Sequence, residues 1–125
     1  MLIIIMNQPI TRAMHGIADY AYAPLVYAAP NLAGFTHIKA ATQLCRIIGV
    51  STLASTVMTR AEWGLVRVIP FKTHLLLDVG VSVLSLAAPF LFHFAGSKKA
   101  RNTFLLMGAV GAIVTSLTQR KELPL

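Results

Sequence analysis

The sequence repeats itself at a fixed offset of 59 residues. At this offset His15 aligns with His74 and Asp19 aligns with Asp78, and the tripeptide Ala-Ala-Pro at 28–30 recurs at 87–89. Without any gap, 13 of the 45 aligned pairs that start at residue 15 are identical. Self-similarity at a fixed period is typical of repeated architecture, so we expect two copies of one structural unit.

The composition favours an integral membrane protein. Hydrophobic residues make up 56% of the chain and charged residues only 12%, with a mean hydropathy of +0.70. A soluble domain has about 25% charged residues. The formal net charge is +7, but the basic residues stand at the ends of apolar runs, where they would meet lipid headgroups. We therefore predict the lipid bilayer as the partner and do not predict nucleic-acid binding.

Four apolar segments predict four transmembrane helices, at about 14–35, 41–58, 75–95 and 103–117. Such segments approach the roughly 20 residues that a helix needs to cross a bilayer. Short connections join the first two and the last two, which predicts two tandem helical hairpins. The prediction is thus a single all-α membrane domain over residues 1–125, with repeat 1 at about 13–60, an interfacial linker at about 61–73 and repeat 2 at about 74–119.

Each repeat contains an even number of helices, so both repeats enter the membrane from the same side. This arrangement predicts a parallel pseudo-two-fold axis along the membrane normal rather than an inverted repeat. The distribution of Lys and Arg favours cytoplasmic termini in a multi-pass protein of the inner cell membrane. Residues 1–6 are interpreted as an uncleaved arm at the interface, and Trp63 in the linker as an interface anchor.

The two His-x-x-x-Asp pairs are the candidate functional site. His15 and Asp19 share one helix face, as do His74 and Asp78, and the repeat puts both pairs at the same depth. Ionisable residues within a span are costly and normally face a bundle interior or a wet cavity. Four interpretations stay open: a metal ion, a haem held by two imidazoles, a proton relay, and a purely structural clasp between helices. An organic ligand such as a quinone is a further alternative.

Other repeated residues predict helix shape and packing. Pro30 and Pro89 lie toward the far ends of spans one and three and predict kinks. Gly49 and Gly108 provide small surfaces for close helix packing in spans two and four. The sequence contains no phosphate-binding glycine loop, no nucleophile paired with a base and no Cys-x-x-Cys motif, so an enzyme is not predicted.

The duplicated hairpin, the His-x-x-x-Asp spacing and the proline near each span end resemble the SPW-repeat family of small bacterial membrane proteins. The resemblance covers roughly residues 14–119. The tripeptide that names the family reads Ala-Pro-Asn at 29–31 and Ala-Pro-Phe at 88–90, so Ser and Trp are absent from both copies. The resemblance implies a membrane fold and no mechanism. An alternative function is that of a non-catalytic accessory subunit, either a homo-oligomer or part of a larger membrane complex.

Overall fold

The computed structural model describes residues 8–124, which form four α-helices. We number them α1 (Arg12–Ala33), α2 (Lys39–Val57), α3 (Phe71–Leu91) and α4 (Lys98–Ser116). Within the described residues there is no β-strand, only two isolated bridges. The prediction of an all-α chain with four helices is confirmed. The predicted arm at residues 1–6 lies outside the described residues.

The helices begin earlier than the apolar segments do. The Thr11 hydroxyl accepts a hydrogen bond from the amide of Met14 and caps α1, and Ser97 caps α4 through the amide of Ala100. A polar first turn is compatible with a helix once it is capped, but hydropathy alone does not detect it. α1 ends where Gly34 adopts a left-handed backbone, with φ of 79°.

The helices pack first within each hairpin, α1 against α2 and α3 against α4. Gly49 lies against the backbone of α1, where an added Cβ would stand 2.9 Å from the carbonyl oxygen of Ala23. Its repeat equivalent Gly108 lies against α3, where a Cβ would stand 2.5 Å from Cγ of Leu86. Contacts between α1 and α4 and between α2 and α3 then join the two hairpins into one bundle.

The repeat extends beyond the helices into the segments that precede them. The two isolated parallel bridges join Ile10 to Thr118 and Ile69 to Thr59. The members of one bridge align with the members of the other at the 59-residue offset. Both bridges connect the end of one hairpin to the beginning of the other. The end of each hairpin therefore fixes the position of the segment that leads into the other hairpin.

The two ends of the bundle differ in polarity. Phe35, Phe94, Phe104 and Cys45 form an apolar core near the short interhelical turns, and the rings of Phe94 and Phe104 are 4.9 Å apart. The buried side chains of His15, Asp19 and His74 and the partly buried Asp78 lie at the opposite end, beside the termini and the linker. Polar groups are therefore concentrated at one depth of the bundle.

One described helix, α3, is long and apolar enough by length and composition to span a membrane, with a mean hydropathy of 1.8 over its best window. Large apolar side chains are nevertheless exposed on all four helices: Ile17, Leu25, Leu32, Ile47, Val50, Leu53, Leu76, Val83, Phe90, Leu106 and Ile113. An apolar exterior of this extent is more typical of a lipid-facing surface than of a soluble monomer.

Candidate metal centre

The four predicted site residues come together in one closed ring of side chains. Nε2 of His15 lies 2.7 Å from Oδ2 of Asp78, and Nε2 of His74 lies 2.6 Å from Oδ2 of Asp19. Within each helix the corresponding distances are 3.2 Å, from His15 to Asp19 and from His74 to Asp78. Each imidazole therefore makes its shorter contact with the carboxylate of the other repeat. The four ligand atoms all lie within 4.8 Å of one another, which is close enough to hold a metal ion.

The outer nitrogen of each imidazole is held by a threonine hydroxyl. Nδ1 of His15 lies 2.9 Å from Oγ1 of Thr118, and Nδ1 of His74 lies 2.9 Å from Oγ1 of Thr59. Each hydroxyl already donates its only proton to a carbonyl oxygen one turn earlier, at 2.6 Å, and must accept the bond from Nδ1. Nδ1 therefore carries a proton in both rings, and both Nε2 atoms face the carboxylates.

This arrangement fixes the charge that the ring must hold. A nitrogen and a carboxylate oxygen 2.6–2.7 Å apart need a proton between them, because two lone pairs would otherwise repel. With two such protons, the two imidazoles and two carboxylates sum to zero charge. One divalent cation in place of both protons gives the same sum, and a neutral set is the least costly to bury.

His74 is the more enclosed of the two imidazoles. Its side chain has no solvent exposure, its ring stacks on Phe71 at 6.1 Å between centroids, and Trp63 contacts it edge-on at 5.6 Å. Ser55 adds a second hydroxyl 3.0 Å from its Nδ1. The repeat equivalent of Ser55 is Val114, so His15 lacks this additional contact.

Trp63 belongs to the linker and lies across this end of the bundle. Its indole N–H donates to the carbonyl oxygen of Arg12 at 2.8 Å, and its own carbonyl accepts from the hydroxyl of Tyr20 at 2.8 Å. The indole fits against α1 because residue 16 is glycine, since an added Cβ would stand 2.2 Å from Nε1 of Trp63. The residue predicted as an interface anchor thus also covers the site on the side of the termini.

Two carboxylates outside the bundle secure the linker and the C-terminal segment. The Arg12 guanidinium binds Glu62 at 2.7 Å, and this hydrogen bond lowers the pKa of Glu62. Burial alone would raise the pKa of Glu122, but hydrogen bonds from the amides of Lys72 and Phe71 outweigh it and keep the pKa below its ordinary value. Glu122 thereby caps the N-terminus of α3 three residues before His74.

A cavity of about 210 Å³ adjoins the ring beside His15. His15, Asp19 and Asp78 line its polar end, whereas His74 does not reach it. The remaining walls come from all four helices: Ala18, Ala21, Tyr22, Leu25, Thr52, Val81, Ser82, Val110, Gly111, Val114 and Thr115. The pseudo-symmetry of the sequence is therefore broken at the site.

The ring geometry distinguishes among the ligands considered from sequence. Two imidazoles that ligate a haem require a porphyrin between their Nε2 atoms. The Oδ2 atoms of Asp19 and Asp78 occupy that space, at 2.6–3.2 Å from the nitrogens. A set of two imidazoles and two carboxylates suits zinc and other divalent first-row ions, so an ion or protons fit better than haem.

The sequence predicted the four side chains of the ring but not the hydroxyl groups that hold the two imidazoles. Thr59 and Thr118 are identical across the repeat, so the signal was present, yet nothing in the sequence linked them to the imidazoles. Ser55 and the cavity had no sequence signal. Pro30 and Pro89 are both buried and lie in the last turns of α1 and α3, far from the ring.

Comparisons with known proteins add no relative to this description: no family model, no curated protein and no solved structure matches the chain. The resemblance to SPW-repeat proteins therefore stays a prediction. The candidate function rests on the site itself.

Proposed function

We propose that this chain is a small membrane protein that binds one divalent metal ion in its His-Asp ring in exchange for two protons. The observation that carries the proposal is the ring itself, in which four ligand atoms lie within 4.8 Å of one another and both Nδ1 atoms are engaged by hydroxyls. Metal-binding histidines characteristically donate their second N–H to a protein acceptor, which orients the ring and fixes its tautomer.

The charge balance supports exchange rather than simple uptake. Because the ring is neutral with two protons and neutral with one divalent ion, either state is tolerated in apolar surroundings, whereas the empty ring with two negative charges is not. Neighbouring ligand atoms are now 2.6–3.2 Å apart. Around a tetrahedral ion with bonds of about 2.0–2.2 Å, the ligand atoms would be about 3.3–3.6 Å apart, so the short sides would have to open by roughly 0.6–1 Å.

The membrane part of the proposal has four helices crossing the bilayer with the ring near one surface. It is supported by the apolar side chains exposed on every helix and by helix lengths of 19–22 residues. By length and mean hydropathy alone, α3 is the one described helix that qualifies as a membrane span. Cysteine-accessibility mapping of the three turns in intact cells tests this topology, with Thr36 and Gly96 expected on one side and Leu65 on the other.

Metal analysis of the detergent-purified protein tests the binding function. We expect about one zinc per chain after loading, and we expect His15→Ala and His74→Ala each to weaken zinc affinity more than about 100-fold. His37→Ala is the matched control, because His37 is exposed and lies at the other end of the bundle. Equal zinc content in all four proteins would contradict the proposal.

A structural clasp is the second candidate, because the ring is already closed by its own hydrogen bonds. In that case the protein would serve as an accessory membrane subunit. The clasp predicts that the alanine variants lose stability while the wild-type protein binds no zinc. Thermal unfolding measured beside the metal analysis therefore separates the two functions.

A further inference from the structure

The cavity beside the ring is bordered by two carboxylates, Asp19 and Asp78, that each use one oxygen in contacts with the described residues. Every hydrogen bond and ion pair that the described residues make to Asp19 and Asp78 goes to Oδ2. Among the described residues no fully buried side-chain oxygen lacks a partner, so each Oδ1 must reach open space. The cavity is the space that both residues line. A molecule in the cavity would therefore meet carboxylate oxygens that need a hydrogen-bond donor.

The surroundings of the two carboxylates favour a neutral donor. Each carboxylate already faces two imidazoles through its Oδ2 atom, and a cation against the apolar cavity walls would be costly to desolvate. Leu25, Val81, Val110 and Val114 provide apolar walls, which suit a hydrocarbon body. A ligand with one hydroxyl group at its tip and an apolar remainder satisfies both requirements.

The volume of the cavity is sufficient for a small aromatic ligand. A cavity of about 150 Å³ accommodates benzene. The present cavity of about 210 Å³ has room for one six-membered ring with a hydroxyl and a small substituent. We propose that it binds a single-ring phenol, whose hydroxyl donates to Oδ1 of Asp78 or Asp19 and whose ring packs against Val81. This binding does not require the metal, so it can fail while zinc binding stands, and the converse also holds.

Equilibrium dialysis of the chelator-treated protein in nanodiscs tests the proposal, with empty nanodiscs as the blank for partitioning. The probes are p-cresol and 4-methylanisole, which share a ring and differ in the donor. A hydrogen bond to a charged acceptor predicts that p-cresol binds at least about tenfold more tightly. Equal affinity, or no saturable binding of p-cresol, overturns the proposal without any variant.

Two variants of α3 then locate the binding site. Val81→Phe fills the cavity and should weaken p-cresol binding more than about tenfold. Val83→Phe is the matched control, because Val83 is 61% exposed on the outer face of the same helix and should leave binding unchanged. Unchanged binding in a folded Val81→Phe protein, or equal losses in both variants, places the phenol elsewhere and overturns the assignment.

Discussion

The two halves of the His-Asp ring have the same residues and different surroundings. His15 and His74 each contact two carboxylates and one threonine, as the repeat requires. Phe71 contacts both rings, but Trp63 and Ser55 contact His74 alone, whereas His15 borders the cavity. The repeat thus supplies two equivalent ligand pairs whose imidazoles are both buried but whose surroundings differ. We call the half that contains His74 closed and the half that contains His15, which borders the cavity, open.

The largest expected effect is a loss of folding stability, and its size should differ between the alanine variants of the two histidines. His74→Ala should destabilise the protein by about 3–5 kcal/mol, because it leaves Asp19 without its shorter partner and removes a fully buried ring from its contact with Trp63. His15→Ala should cost less, because the His15 ring lacks the contacts that Trp63 and Ser55 make with His74. Chemical denaturation of metal-free protein in detergent measures both values. Equal costs, or a greater cost for His15→Ala, would refute the distinction between a closed and an open half.

Removing the indole of Trp63, which covers the site, should expose the imidazole of His74 selectively. Trp63→Ala is expected to cost up to about 3 kcal/mol and to speed the reaction of His74 with diethyl pyrocarbonate, because the indole contacts that ring directly. The reaction of His15 should change little, since Trp63 is not among its ring contacts. Peptide mapping by mass spectrometry distinguishes the two sites. Equal acceleration at both would mean that Trp63 supports the whole bundle rather than one half.

The threonine hydroxyl that contacts each imidazole can be removed separately, which gives a matched pair of variants. Thr118→Val should weaken zinc affinity by about 10–100-fold, because the second N–H of His15 loses its acceptor. Thr59→Val should have a clearly smaller effect, since Ser55 still lies 3.0 Å from Nδ1 of His74. The double variant Ser55→Val, Thr59→Val should restore parity with Thr118→Val. Zinc titration of the three proteins checks this order, and a larger effect of Thr59→Val alone would argue against the assigned hydroxyl roles.

The smallest expected effect is the pH dependence of the folding stability that Glu62 of the linker contributes. The hydrogen bond from Arg12 lowers the pKa of Glu62, so this pair stabilises the fold above the unfolded pKa of the carboxyl and loses that contribution as pH falls through the folded pKa. Both groups lie near the surface, so the contribution is below about 1 kcal/mol. Glu62→Gln should therefore reduce stability at pH 7 by more than it does at pH 3. Thermal unfolding at both pH values is the measurement, and an equal loss at pH 3 would contradict this account of Glu62.

The four side chains of the ring show how much of the site could be predicted from the sequence. The repeat offset placed His15, Asp19, His74 and Asp78 at one depth, because equal positions in equal helices must lie at equal heights. The rotation of α1 against α3 decides which carboxylate is nearer to which imidazole, and no sequence pattern encodes it. The preference of His15 for Asp78 over Asp19 therefore appeared only in the structure.

The hydroxyl contacts to the imidazoles and the cavity are formed by residues that lie far apart in the sequence. Thr118 reaches His15 across 103 positions, so no local pattern could connect them. The asymmetry arises from single substitutions between aligned positions, such as Ser55 against Val114 and Thr52 against Gly111. These substitutions are ordinary in a helix, and only their position around the ring gives them a role.

Calorimetric titration of the purified protein with zinc near neutral pH, repeated in buffers of different ionisation enthalpy, counts the protons released for each ion bound. A ring that holds either two protons or one divalent cation predicts one zinc per chain and the release of about two protons. Release should disappear together with binding when His15 and His74 are both replaced by alanine. Tight zinc binding without proton release, or binding that survives the double replacement, would contradict the exchange of two protons for one metal ion at these four side chains.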